Sequence, residues 1–299
     1  MQRSRLLPGL FLSLVLLIGG PAPAQKPAEA PRSPDQLVFA VIGDNGTSDK
    51  PQMAVADQMW KAYQRSPFSL VLMLGDNLYS PNWKQIDGAF TVPYKPLLDA
   101  GVRFYATLGN HDQPTALEQI SFPPFNMGGR RNYSFAPAGA LVEFFTIDSS
   151  LVLKESAQLD WLDKALAAST AHWKIVFVHH PPYSPGSRHG DNPKLEKSLV
   201  PMLARHHVQV VLSGHEHFFA QMAPTDGVNY IISGSGGKIQ KGGLQPDSRT
   251  VYGNDQVHQF LLVTLTPGTF SFQVISETGE VLHTASIPYT GAAAAAAGR

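Results

Sequence analysis

Short apolar runs recur along the chain, and each is followed directly by carboxylate, amide or imidazole side chains. Five runs show this pattern: Leu37–Ile42, Leu70–Leu74, Val102–Leu108, Ile175–Val178 and Val208–Leu212. They are too short and too uniformly apolar for amphipathic helices, so they predict buried β-strands. The polar residues that follow therefore lie at strand ends, where open α/β sheets bind their ligands.

Helices are predicted in several of the intervals between these runs. The predicted helices are Met53–Tyr63 after Pro51, Ile86–Ala100, Leu159–Leu166 with Ser156 as its N-cap, and Leu195–Ala204. Pro93 and Pro96 are expected to interrupt the second of them, because proline lacks the backbone N–H that a helix needs. Strands that alternate with helices through short links are typical of a parallel sheet with right-handed crossovers.

The second half of the chain is rich in further strands. They are predicted at Asn132–Phe135, Leu141–Ile147, Tyr230–Ser233, Gln259–Thr264 and Phe270–Val274. The first two are expected to pair antiparallel. No repeat of fixed period and no long linker divides the sequence, so we expect one domain over residues 36–290, with two packed sheets and helices outside them.

The two ends of the chain do not resemble the domain. Arg3 and Arg5, an apolar stretch over Leu10–Ile18 and the small residues Ala22–Ala24 predict a cleaved signal peptide over residues 1–24. A membrane anchor is disfavoured because glycine and proline end the apolar run before it reaches about 20 residues. Residues 25–35 read as a flexible leader and residues 291–299 as a low-complexity tail. The protein is thus expected to be secreted or periplasmic, with no stable anchor after cleavage.

Composition excludes several classes of partner and chemistry. Lysine plus arginine equals aspartate plus glutamate at 23 each, so no surface suited to nucleic acid or an anionic membrane is indicated. The absence of cysteine rules out disulfides and leaves only nitrogen and oxygen ligands for a metal. The oligomeric state is not readable from the sequence.

The polar residues after the strands form a set of metal-ligand types. The candidates are Asp44, Asp76, Tyr79, Asn110, His179, His215 and His217. Taken alone, Asp44 could equally cap a helix, and Tyr79 could simply pack in the core. Taken together, at successive strand ends, they predict a metal centre at one edge of the sheets.

These motifs carry a resemblance to a known family. The blocks GDNG, GDNLY, GNHD, VFVHHPPY and GHEH, in this order, resemble the calcineurin-like metallophosphoesterases, and specifically the purple acid phosphatases, whose second block includes a tyrosine like Tyr79. The resemblance implies a four-layer α/β/β/α sandwich of two mixed sheets flanked by helices. It also implies two metal ions that share Asp76. One ion would be bound by Asp44, Asp76, Tyr79 and His217, and the other by Asp76, Asn110, His179 and His215.

The metal pair is expected to combine a trivalent and a divalent ion. A phenol ionises near pH ~10, so its use as a ligand favours a hard ion such as Fe(III) at the Tyr79 side. The family's second ion is Fe(II), Zn or Mn, and the sequence does not choose among them.

Several residues near the ligands are candidates for contact with the substrate. His111 is expected to bind the phosphate or to protonate the leaving alkoxide, unless it only orients Asn110. Asn110 is also expected to bind the substrate. His189 matches a substrate-facing histidine of the family, although a loop histidine is often merely solvated. Arg188 and Lys238 are either further phosphate contacts or ordinary surface charges. A structural role is expected for His180, and Glu216 is expected to face solvent or the residues behind the ligands.

The resemblance implies hydrolysis of small phosphate monoesters by in-line attack of a metal-bound hydroxide, with an acidic pH optimum. One alternative is a phosphodiesterase or nucleotide pyrophosphatase of the same superfamily, which a substrate panel would separate. Another is a secreted metal- or phosphate-binding protein without turnover. No GXSXG elbow and no Walker-type phosphate loop occurs in the sequence.

Overall fold

A computed structural model of the chain describes residues 35–151 and 156–291. The predicted signal peptide, all but the last residue of the predicted leader and all but the first residue of the predicted tail lie outside these ranges. Within the described ranges, no helix combines the length and apolar character needed to cross a membrane.

Thirteen strands and five α-helices make up the described chain. The strands are β1 (Leu37–Ile42), β2 (Leu70–Met73), β3 (Arg103–Ala106), β4 (Tyr133–Phe135), β5 (Val142–Thr146), β6 (Trp173–Val178), β7 (Val210–Ser213), β8 (Phe219–Met222), β9 (Asn229–Ser233), β10 (Thr250–Asn254), β11 (Gln259–Leu265), β12 (Thr269–Ser276) and β13 (Val281–Pro288). The helices are α1 (Lys50–Arg65), α2 (Lys95–Asp99), α3 (Ala116–Ser121), α4 (Ala157–Ala168) and α5 (Pro193–Arg205).

The strands form two mixed sheets. The first has the order β13-β12-β11-β1-β2-β3, and the second has the order β10-β8-β9-β7-β6-β5-β4. In the first sheet β1, β2 and β3 run parallel, and in the second β5, β6, β7 and β9 run parallel. Antiparallel strands complete both sheets at their edges.

The alternation of side chains along the strands builds two apolar layers. Phe177 on β6 belongs to the core between the sheets, where the Phe39 and Phe144 rings meet edge to face at 5.3 Å. Val176, its neighbour, packs with the residues that α4 and α5 bury, such as Leu199. Helix α1 covers β11 and β12 of the first sheet. The predicted α/β/β/α sandwich of two mixed sheets is therefore confirmed.

Most predicted elements are present, with bounds that differ by a few residues. The predicted helix over residues 86–100 is broken into a π-helical turn at Asp87–Thr91 and the short α2, as the two prolines suggested. Ser156 occupies the predicted N-cap position of α4, although its side chain makes no capping hydrogen bond to the described residues. Strands β8, β10 and β13 had not been predicted.

Candidate metal centre

The loops after β1, β2 and β3 are joined to one another by backbone hydrogen bonds. The N–H of Asp44 donates to the carbonyl of Gly75, and the N–H of Gly46 donates to the carbonyl of Asp76, both at 3.0 Å. The N–H of His111 donates to Oδ1 of Asp76 at 3.0 Å. These contacts hold the three strand-end loops of the first sheet in one arrangement.

Three of the candidate ligands have an unusual, left-handed backbone conformation, which directs their side chains towards the centre. Asp44, Asp76 and His215 have positive φ angles of 55°, 53° and 70°. Aspartate tolerates this left-handed region better than most residues, at a cost of about 1 kcal/mol or more. Gly109 leaves room for the carboxylate, since a Cβ there would lie 2.1 Å from Oδ1 of Asp76. The loops are thus shaped around the Asp76 side chain.

The loops after β6 and β7 bring three histidines from the second sheet to the same place. Nδ1 of His179 donates to the carbonyl of Leu74 at 2.9 Å, and the N–H of His215 donates to Oδ2 of Asp44 at 2.8 Å. Each of these bonds crosses from one sheet to the other. His217 follows two residues after His215, so the centre lies where the two sheets meet.

One group of donor atoms comprises Asn110, His179 and His215. Oδ1 of Asn110 lies 3.0 Å from Nε2 of His179 and 3.0 Å from Nδ1 of His215, and the two imidazole nitrogens are 3.2 Å apart. Because Nδ1 of His179 is already committed to a carbonyl, its Nε2 offers a lone pair to the group. Three such atoms so close together fit a bound cation.

A second group lies beside the first and comprises Asp44, Tyr79 and His217. The Tyr79 hydroxyl is 3.3 Å from Oδ1 of Asp44 and 3.2 Å from Nε2 of His217, and that nitrogen is 3.5 Å from the same carboxylate oxygen. Asp76 lies between the groups, because its oxygen is 3.5 Å from Nε2 of His179 and within 4.8 Å of the ligand atoms of Asp44 and His217. All seven predicted ligands are brought together.

Burial and neighbouring charges shift the pKa values of several residues in the centre. Burial, reinforced by the charge of Asp76, raises the pKa of Asp44 well above its usual value. Burial and the charges of Asp44 and Asp76 raise the pKa of Tyr79 as well. Burial, followed by the nearby His179, lowers the pKa of His215. A cation would stabilise the anionic carboxylates and phenolate and the neutral imidazole, which are the forms that bind metals.

Both predicted substrate-facing histidines lie against the donor groups. The exposed His111 ring is 4.7 Å from the Tyr79 ring, and the His189 ring stacks on that of His215 at 4.3 Å. His180 also reaches this cluster, with its ring 4.3 Å from His215. Its Nδ1 contacts the Ser149 hydroxyl at 2.9 Å, which fits the structural role expected for it.

Sequence reasoning missed one acidic residue that supports the centre. Asp112 is fully buried and accepts hydrogen bonds from the backbone N–H groups of Gly109 at 2.8 Å and Leu78 at 2.9 Å. It therefore ties the second strand-end loop to the third, and its place at the end of GNHD was the available signal. Glu216 is 2% exposed and its Oε1 lies 3.4 Å from Nδ1 of His189, so of the two surroundings expected for it, it faces the residues behind the proposed ligands.

Two basic residues stand at the mouth of the centre. Nζ of Lys238 lies 4.9 Å from the centroid of the Tyr79 ring. The pKa of His217 is lowered, first by burial and then by the positive charges of Lys238 and Arg188, against the opposing charge of Asp76.

Comparison with known proteins gives consistent results. A family model described as calcineurin-like phosphoesterase matches residues 37–219. Purple acid phosphatase 17 of Arabidopsis thaliana is 30% identical over 273 residues, covering 79% of this chain and 78% of its own. Tartrate-resistant acid phosphatase type 5 of Mus musculus is 26% identical over 303 residues, covering 84% of this chain and 90% of its own.

A solved structure supports the fold independently. The purple acid phosphatase from yellow lupin (Lupinus luteus) seeds superposes with a TM-score of 0.70 at 15% sequence identity, over 85% of this chain and 54% of that one. At this identity the likeness shows the fold, while the family model and the plant relative show the family. The chain therefore belongs to the calcineurin-like phosphoesterases. Within this family it is an enzyme of the purple acid phosphatase group.

Proposed function

We propose that this protein hydrolyses phosphate monoesters at a centre of two metal ions. One ion would be held by Asp44, Asp76, Tyr79 and His217, and the other by Asp76, Asn110, His179 and His215. The observation that carries the proposal is the pair of adjacent donor groups, each with interatomic distances of 3.0 to 3.5 Å, that share Asp76. Ions bound there would supply positive charge to the phosphoryl oxygens and acidify water for attack on phosphorus.

Residues of the chain itself would position the ester and move its proton. Oδ1 of Asn110 faces the two imidazoles, so its Nδ2 is left to donate to a phosphoryl oxygen. Nδ1 of His189 faces Glu216 at 3.4 Å, which leaves its Nε2 for the substrate. His111, exposed beside Tyr79, would donate a proton to the leaving oxygen.

We propose Fe(III) at the Tyr79 side, with Fe(II), Zn or Mn at the other. Because burial and the two carboxylates raise the pKa of Tyr79, only a strongly polarising ion is expected to displace its proton. A tyrosinate–Fe(III) centre absorbs visible light strongly. Elemental analysis combined with a visible spectrum therefore tests the assignment, and a colourless, iron-free active enzyme would overturn it.

The acidic optimum and the export of the protein also remain proposals. A histidine that donates a proton must be protonated first, which favours acid. Export to the periplasm or the medium rests on the predicted signal peptide, and the domain is proposed to span residues 36–290. N-terminal sequencing of the mature protein would check the cleavage after Ala24.

The reaction is tested with p-nitrophenyl phosphate and variants of the ligands. Asp76→Ala and His179→Ala should each lose activity by more than ~100-fold and lose bound metal, because the first removes the ligand that the two ions would share and the second removes a ligand of one of them. His207→Asn, which changes an exposed histidine outside the centre, should retain wild-type rates. Activity near wild type in either ligand variant would refute the two-metal proposal.

The same preparation separates the two alternatives. Faster turnover of bis(p-nitrophenyl) phosphate than of the monoester would favour a phosphodiesterase. Metal-loaded protein whose spectrum responds to phosphate, but which hydrolyses no ester, would favour a binding protein without turnover.

A further inference from the structure

Two loops beside the centre form one continuous wall, which we call the basic wall and define as residues 184–190 and 237–245. The N–H of Ser187 donates to the carbonyl of Gly243, and the N–H of Gln245 donates to the carbonyl of Pro185, both at 2.8 Å. An antiparallel bridge joins Gly186 to Leu244 between these bonds. The two loops are therefore paired by a short stretch of antiparallel backbone hydrogen bonds.

This wall is fastened to the proposed ligands by its backbone. The N–H groups of Gly237 and Lys238 donate to the carbonyl of Asp44 at 3.1 and 3.2 Å, and the N–H of Gln240 donates to the carbonyl of His217 at 3.0 Å. The base of the Lys238 side chain is thus held in a fixed position relative to the centre.

Two of the exposed cations on the wall, Lys238 and Arg188, lie beside residues of the centre. Lys238 and Arg188 are exposed, and within residues 35–151 and 156–291 neither forms an ion pair with a carboxylate. Lys238 lies over the Tyr79 ring, and Arg188 directly precedes His189, which stacks on His215.

We propose that Lys238 and Arg188 bind a second phosphoryl group of the substrate, so that the enzyme prefers compact esters with two phosphoryl groups. The inference rests on the proposed function and names a substrate class for the same site. An arginine fork and a lysine ammonium are the side chains that suit phosphate oxygens. Their charges attract a second dianion when the first phosphoryl group occupies the metal side.

The test compares two matched esters, 3-hydroxypropyl phosphate and propane-1,3-diyl bisphosphate, with the holoenzyme. The measure is the ratio of kcat/KM for the bisphosphate to that for the monophosphate, in which any general loss of activity cancels. We expect a wild-type ratio of about 10 or more, a reduction in Lys238→Gln and Arg188→Gln, and a ratio near 1 in the double variant. The ratio should also fall between 50 and 500 mM NaCl, since salt screens exposed charges.

Lys241→Gln is the matched control, because it removes an exposed lysine from the same wall whose charge acts on His258 instead. Its ratio should equal that of the wild type. A wild-type ratio in the double variant would overturn the proposal. If Lys238 serves only Tyr79, both esters will slow equally in Lys238→Gln and the ratio will not change, which also overturns it.

Calorimetry keeps this test separate from the proposed function. Propane-1,3-bisphosphonate should bind the holoenzyme about tenfold more tightly than propylphosphonate, and the double variant should lose that difference. A protein that hydrolyses neither ester but keeps this difference would refute the proposed function while supporting the second phosphoryl site. A protein that hydrolyses monoesters but binds the two phosphonates equally tightly would support the proposed function and refute the second phosphoryl site.

Discussion

Oε1 of Glu216 lies 3.4 Å from Nδ1 of His189, and no hydrogen-bond donor of the described chain satisfies that oxygen. A buried carboxylate oxygen without a donor is costly, so its charge favours an imidazole that turns Nδ1 towards it. Glu216 is therefore placed to orient His189, which stacks on the proposed ligand His215.

Glu216→Gln should lower kcat by about tenfold, because His189 loses the charge that orients it, while the metal content stays at the wild-type level. His189→Ala should cause a similar loss, and the double variant should lose no more than His189→Ala alone. Steady-state kinetics and elemental analysis on the four proteins test this, with Glu280→Gln, an exposed acid, as control. Losses that multiply in the double variant would show that the two residues act separately.

Gly109→Ala should abolish metal binding while the chain still folds. The new Cβ would fall 2.1 Å from Oδ1 and 2.4 Å from the amide nitrogen of Asp76, so that carboxylate must move away from both donor groups. Gly268→Ala is the control, since a Cβ there meets no atom within 4 Å. Metal-to-protein ratios measured after loading should fall towards zero in the first variant and match wild type in the second; full loading of Gly109→Ala would contradict the geometry.

Asp112→Ala should destabilise the fold by about 3–5 kcal/mol, because it leaves buried donors such as the Gly109 and Leu78 N–H groups unsatisfied. Urea unfolding measures the change in the free energy of unfolding. Asp57→Asn, which breaks an exposed ion pair with Lys61 on α1, should change it by less than about 0.5 kcal/mol. A loss below about 1 kcal/mol in Asp112→Ala would mean that the loops hold without this carboxylate.

Removal of metal should lower the melting temperature. Ligand at a thousand times its dissociation constant stabilises a protein by about 4 kcal/mol, and a domain of this size shifts by about 2–4 °C per kcal/mol. Calorimetry before and after chelation should therefore show a drop of about 10 °C, and Asp76→Ala should show none. An unchanged melting temperature in the wild type would argue against ions that bridge the two sheets.

The sequence predicted the strands that carry the site better than it predicted the sheet edges. Strands β1 and β2 are uniformly apolar, and β6 is apolar from Ile175 to Val178, because both faces of these strands are covered, and that pattern is easy to read. Strand β13 is largely exposed and β10 carries no fully buried residue, so neither contains an apolar run from which a strand could be predicted. Their pairing depends on neighbouring strands, which a local pattern does not contain.

The same distinction applies within the centre. The proposed ligands could be brought together from the sequence because each member follows an apolar strand in a fixed order. The supporting role of Asp112 and the particular contact between Glu216 and His189 could not be predicted, because they depend on contacts between loops that come from different strands. The stacking of His189 on His215 likewise arises from the fold of a loop, for which no periodic signal exists.

The left-handed backbone at Asp44, Asp76 and His215 implies a conflict between durability and activity. Glycine adopts this conformation without penalty, so replacing any of the three by glycine would relieve local strain but remove a proposed metal ligand. Laboratory evolution that selects for thermostability alone would therefore favour inactive variants substituted at these positions. To retain the original side chains, such an experiment would need a screen for catalytic activity in every round.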